Sequence, residues 1–309
     1  MKRASLILAL LLAAAPAFAG AQAQPPVNRF AATEVAQERF DVGVLQVERH
    51  GQRGRPLILV PGVAGGAWVW QDTIRKFRGS HSVYVVTLPG FDGRARVPGN
   101  MMEAVQQSLR DLVTSRQLAK PVLVGHGLGG MIALAVAQDL PGLVGGVVSI
   151  DGLPVVAGTE ELPPEQRAQL ADGIVRRTSG LTPEQYAAQQ QQYLRGAGVL
   201  DMGRADELAK LSSRSDPEAA VQYTAARTAA DLRPGLSKIT APVMVIAPYF
   251  ELDEADPNAT LASKVAYYRE LMTGTPKLDI MGMSGSRHYV MIDQPERFTD
   301  VLRGFLNSL

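Results

Sequence analysis

The chain of 309 residues is 46% hydrophobic and 20% charged, without a long biased tract, which fits a packed globular protein and excludes a disordered or fibrous one. It contains no cysteine, so disulfides, a thiol nucleophile and a cysteine metal site are excluded. A formal charge of +1, without basic clusters, gives no surface for nucleic acid or an anionic membrane.

Residues 1–24, MKRASLILALLLAAAPAFAGAQAQ, place Lys2 and Arg3 before an apolar run over 4–15 and then small residues. This is the pattern of a secretory signal peptide over 1–23, with Ala17-Phe18-Ala19 or Ala21-Gln22-Ala23 at the cleavage site. The run is too short to span a bilayer. The expectation is an exported protein, periplasmic or secreted, not membrane-bound after cleavage, with the formal charge changed to −1 by loss of Lys2 and Arg3.

Residues 25–38 read as an irregular leader, and FDVGVLQVERHG (40–51) alternates as one strand. PLILVPG (56–62) is a continuous apolar run of the kind buried on both faces of a sheet. A helix over 66–78, a strand in SVYVVTLPG (82–90) and an amphipathic helix over 101–118 follow. PVLVG (121–125) predicts a strand, 128–139 a helix and LVGGVVSID (143–151) another strand. Such alternation predicts the α/β class, with a mostly parallel, doubly wound sheet. From 154 to 235 only helices are expected, started by LPPEQ, LTPEQ and DPEAA, where Pro leads a first turn containing Glu. The strand–helix rhythm returns in PVMVIAPY (242–249), a helix at 260–273, KLDIMGMSG (277–285) and a last helix in QPERFTDVLRGFL. The expected division is a core of 24–153 and 236–309, with 154–235 as a helical cap between two strands.

Gly125-His126-Gly127-Leu128-Gly129-Gly130 falls where a strand turns into a helix. The α/β-hydrolase nucleophile elbow is G-x-S-x-G on such a turn. The chain resembles the α/β-hydrolase superfamily, in particular its capped esterase-like members with GHSLGG, but Gly127 stands where their serine attacks. A Gly-rich phosphate-binding turn is the alternative reading, disfavoured because the spacing and the lysine of a P-loop are missing. Two further motifs carry the resemblance. LVPGVAGGAWVW has Pro61-Gly62 where the family has His-Gly, and by that match Val63 N–H and Leu128 N–H are the oxyanion donors. SGSRHYVMIDQPERF resembles the segment of the catalytic histidine, which makes His288 the general base.

The orienting acid has two places in the family. One is Asp151, after the strand that follows the elbow helix; the other is the loop after 249, with Glu251 at the usual count and Asp253 two further on. That second loop lacks the usual Gly-x-x-Asp, so Asp151 is favoured. His50 is read as a turn residue, His81 as preceding a strand, and His126 as flanking the elbow with its ring turned elsewhere. Ser284 and Ser286 are not on an elbow and are not nucleophile candidates.

The resemblance implies no cofactor and no metal, and a small ester or acyl compound as substrate, taken up beneath the cap. Without Oγ there is no acyl-enzyme route. The sequence therefore leaves three readings: an inactivated serine hydrolase, a slow hydrolase using water activated by His288, or a non-catalytic ligand-binding module. Glycine adopts strained backbone readily, so the Gly127 form is expected to fold at least as stably as a Gly127→Ser form.

Overall fold

A computed structural model describes residue 30, residues 34–254 and residues 256–309. The expected signal peptide lies outside the described residues. An eight-stranded sheet organises the chain in the order β1-β2-β4-β3-β5-β6-β7-β8. Its strands are β1 Glu38–Val42, β2 Leu45–His50, β3 Pro56–Val60, β4 Ser82–Thr87, β5 Val122–His126, β6 Gly146–Ile150, β7 Val243–Tyr249 and β8 Leu278–Ser284. All neighbours from β4 to β8 pair in parallel; β2 is antiparallel to both β1 and β4.

The continuous apolar strands are buried on both faces, as their composition requires. Ile58 and Val60 of β3 pack on one side of the sheet, together with α2 (Met101–Ser115) and α3 (Leu128–Asp139). Leu57 and Leu59 point to the other side, against α1 (Gln71–Phe77) and the last helix, Pro295–Asn307. On that helix Phe298, Leu302, Phe305 and Leu306 form the buried stripe. Each such side chain contributes about 1.5–3 kcal/mol by leaving water.

The segment read as one strand over 40–51 is a hairpin. Val42 pairs with Leu45, and the turn between them runs through Gly43 at φ +54°. That positive φ is open to glycine at little cost, so the alternating pattern folds back on itself.

Between β6 and β7 the chain forms α4 (Pro164–Thr178), α5 (Pro183–Tyr193), α6 (Met202–Ser212) and α7 (Pro217–Ala229). Three of these begin at the Pro-Glu starts expected from sequence. The exception is α6, capped by Asp201, whose side chain accepts from Arg204 N–H at 2.8 Å. A single π turn, Leu194–Gly198, follows α5. The sheet is completed by α8 (Leu261–Leu271) before β8, a short α9 (Val290–Asp293) and the last helix, α10.

Candidate active site

The turn from β5 into α3 is as tight as its glycines allow. A Cβ on Gly125 would lie 2.1 Å from the Gly129 carbonyl oxygen, one on Gly129 2.2 Å from that of Val60, and one on Gly130 2.2 Å from Ser149 Oγ. Side chains there would push the helix off strands β3, β5 and β6. Gly127 itself has φ +52° and ψ −111°, and its N–H donates to the Ile150 carbonyl at 2.8 Å. Few residues other than glycine adopt this backbone without strain.

The His288 imidazole faces this turn. A Cβ on Gly127 would stand 2.9 Å from Nε2 and 3.0 Å from Cε1. On the other side of the ring, Nδ1 lies 2.5 Å from Asp151 Oδ2. Asp151 follows β6 directly, in the left-handed region at φ +48°, which an aspartate tolerates better than most residues. Its other oxygen accepts from the Tyr268 hydroxyl of α8. Burial, and then the Asp151 charge, hold the Tyr268 phenol well above its ordinary range, so it stays a donor. An imidazole gripped at Nδ1 by a carboxylate is fixed with Nε2 free to exchange a proton at residue 127.

The other two candidate carboxylates make no contact with the imidazole among the described residues, although Asp253 lines the same chamber. Both carboxylate oxygens of Asp253 are taken by Arg287, with Nε at 2.6 Å and Nη2 at 2.7 Å. Glu251 is exposed in a short 3-10 turn (Glu251–Asp253).

His126 overturns the sequence expectation. Its ring is fully buried and packs tilted against the site, 4.1 Å from the His288 centroid and 4.4 Å from that of Tyr289, at interplanar angles of 46° and 49°. Nε2 meets the His288 carbonyl oxygen at 3.1 Å, which assigns the proton to Nε2 and leaves Nδ1 a bare, buried lone pair. Burial, reinforced by His288, pushes its pKa well below the ordinary imidazole value, so it is neutral. His50 is also not a turn residue: it closes β2 and is buried.

The histidine loop is pinned from the helical insertion. His288 N–H and Tyr289 N–H donate to the carbonyls of Ala197 and Gly198 in the π turn, at 3.3 and 3.0 Å. The Asp293 carboxylate accepts from Leu200 N–H and Arg287 N–H, both at 2.9 Å. Two chambers open around His288. The larger, of about 570 Å³, is walled by Gly127, Asp151, Tyr268, Phe250 and Arg287 among others. The smaller, of about 260 Å³, is walled by Val63, Leu128 and residues of α4, α5 and α7. Tyr193, Arg227 and His288 belong to both walls.

Residues 57–301 match the model of the "Alpha/beta hydrolase family". The chain belongs to the α/β-hydrolase family. Curated relatives include the 2-succinyl-6-hydroxy-2,4-cyclohexadiene-1-carboxylate synthases of Shigella sonnei and Salmonella paratyphi C. The first is 33% identical over 136 residues, 43% of this chain and 53% of that protein; the second is 38% identical over 100 residues, 32% and 39%. The chain thus spans about half or less of the length of these relatives. Solved structures with the same fold include MenH from S. aureus (TM-score 0.70, 16% identity, covering 85% of this chain and 98% of that one). A thermophilic esterase from Thermogutta terrifontis, malate-bound, superposes with TM-score 0.66 at 22% identity over 88% of this chain and 98% of its own.

Within this α/β-hydrolase, sequence reasoning missed three parts of the site. Tyr268 lies mid-helix in α8 and no local pattern marks it. Asp293 lies in the DQPE stretch already singled out, but its service to two backbone N–H groups shows only in three dimensions. Arg227 is one of many arginines in a helix.

Proposed function

We propose that the site is the hydrolytic centre of an esterase-like α/β-hydrolase for a small ester or acyl compound. In this reading His288 is the general base, Asp151 the acid that orients it, and the N–H groups of Val63 and Leu128 hold the oxyanion. Gly127 occupies the nucleophile position. The observation that carries the reading is the 2.5 Å contact from His288 Nδ1 to Asp151 with Nε2 aimed at residue 127. With a serine there, Oγ would pass its proton to Nε2 as it bonds to the acyl carbon, and the carbonyl oxygen would become the oxyanion. Collapse would expel the alcohol, protonated from Nε2, and water would repeat the sequence to free the acid. As the chain stands, that route is closed. Loss of a serine nucleophile costs on the order of a millionfold in turnover, and the remaining donors and binding leave roughly a thousandfold over water.

A second reading, a ligand-binding module without catalysis, draws support from the crowding of His288 against Gly127. The imidazole stands where a serine Cβ would need room, so the site is fitted to glycine. Comparing the Gly127 form with Gly127→Ser on p-nitrophenyl acetate and butyrate separates the two. The hydrolase reading expects a rise of at least about a thousandfold, abolished by adding His288→Ala. A Ser form no faster than the Gly form overturns it and leaves the binding reading. We also read residues 1–23 as a secretory signal; N-terminal sequencing of protein recovered from the periplasm or medium, starting at residue 20 or 24, tests that.

A further inference from the structure

The charged groups lining the larger chamber are matched in contact. Asp253 pairs with Arg287, Glu254 with Lys264 and Asp151 with His288. Arg227 on α7 is different. Among the described residues it has no ion pair, and its Nε is buried without a hydrogen-bond partner. It stands where the two chambers meet, and in the wall of the smaller one it is the single formal charge apart from His288. That wall contains no carboxylate.

A second orphan lies in the same wall. Tyr186 of α5 is 2% exposed, and its hydroxyl is buried without a partner. Burial raises its pKa, so it remains a hydrogen-bond donor. Two buried donors without acceptors, both on residues of one chamber wall, are costly unless an acceptor is brought to them. The smaller chamber also holds Val63 and Leu128, so whatever occupies it lies beside the proposed oxyanion donors.

We propose that the smaller chamber is an anion subsite, in which Arg227 and the Tyr186 hydroxyl bind a carboxylate carried by the substrate. The ligand is then an acyl compound with a free carboxylate a few bonds from its reacting carbonyl, such as a dicarboxylic monoester. This rests on the hydrolase reading for the position of that carbonyl, but the subsite itself does not need a nucleophile. An arginine that only eased the C-terminal end of α7 would affect stability without selecting ligands by charge.

The binding arm of the test uses the Gly127 protein as it stands. Ligand-observed NMR titration compares monomethyl succinate with methyl butyrate, close in size but neutral. The proposal expects the anion to bind at least about tenfold more tightly, since charge-assisted hydrogen bonds reach that size. Arg227→Gln should abolish the preference, Arg227→Lys should keep part of it, and Tyr186→Phe should reduce it, with each variant's melting temperature checked for folding. Equal binding of the two probes, no binding of the anion, or a preference unchanged in folded Arg227→Gln overturns the proposal. The catalytic arm compares p-nitrophenyl hydrogen succinate with the butyrate ester in the Gly127→Ser form. Anion-selective binding without hydrolysis keeps the subsite and rejects the hydrolase reading; hydrolysis without anion selectivity does the reverse.

Discussion

Replacing Gly127 by serine tests whether this turn stores the strain that its geometry implies. At φ +52° and ψ −111° a residue with a Cβ is strained, at a cost of about 1–3 kcal/mol. The new Cβ also meets His288 Nε2 at 2.9 Å, whereas ordinary contact begins at 3.4 Å. The ring cannot move freely, because Asp151 holds Nδ1 and the His126 ring packs against it at 4.1 Å. Turning it off its preferred rotamer adds about 0.5–1.5 kcal/mol. Against this, serine restricts the unfolded chain, worth about 0.4–1 kcal/mol, and its hydroxyl gains a hydrogen bond to Nε2 worth about 0.5–1.5 kcal/mol. The net is a loss of about 1 kcal/mol, a fall in Tm of about 1.5–2 °C for a chain of this size. Calorimetry of both forms in the same buffer, backed by urea melts, reads it directly. A serine form that melts clearly higher than the glycine form would show that a Cβ does not strain this turn.

Three further outcomes follow from the same contacts. In the Gly127→Ser background, Asp151→Asn should lower ester hydrolysis by about 10⁴ through loss of the correct imidazole tautomer, while Asp253→Asn and Glu251→Gln should cost far less; steady-state kinetics that place the large loss at 253 or 251 would reassign the acid. Tyr268→Phe removes a donor from a half-buried carboxylate and should destabilise by roughly 1.5–3 kcal/mol in urea melts. His126 is held neutral in the fold, so below the ordinary imidazole pKa of 6.5 the unfolded chain binds a proton that the folded chain refuses. Its contribution is therefore complete above that pH and is lost as pH falls, at up to about 1.4 kcal/mol per pH unit, and His126→Gln should flatten that part of the stability curve between pH 7 and 5.

The fold was legible because its signals are local and repeated. Buried strands such as PLILV and PVLVG carry unbroken apolar runs, and α3 begins and ends at Leu128 and Asp139 as the sequence pattern requires. The β1–β2 hairpin was not, since a Val-Gly-Val step preserves the alternation that marks a single strand. In the candidate site, motif spacing singles out Gly127 and His288, which the fold brings side by side. The choice of Asp151 over Asp253 turned in sequence on a missing glycine pattern, whereas in three dimensions Arg287 occupies Asp253 and β6 delivers Asp151 to the imidazole. His126 was misjudged because strand alternation says which face a ring leaves from and not which ring it meets. Tyr268, Tyr186 and Arg227 depend on how helices pack over the sheet, and the contact of Tyr268 with Asp151, more than a hundred residues away, leaves no trace in local spacing.

We propose that residue 127 stands where an acyl-transfer nucleophile belongs, between His288 Nε2 and the N–H groups of Val63 and Leu128. The most direct measurement is intact-mass and peptide mass spectrometry of the Gly127→Ser form after treatment with a small fluorophosphonate. A single stoichiometric adduct on residue 127 is expected, formed rapidly and suppressed by His288→Ala, with no adduct in the Gly127 form. A folded serine form that stays unlabelled, or one labelled at Ser284 or Ser286 instead, would contradict it.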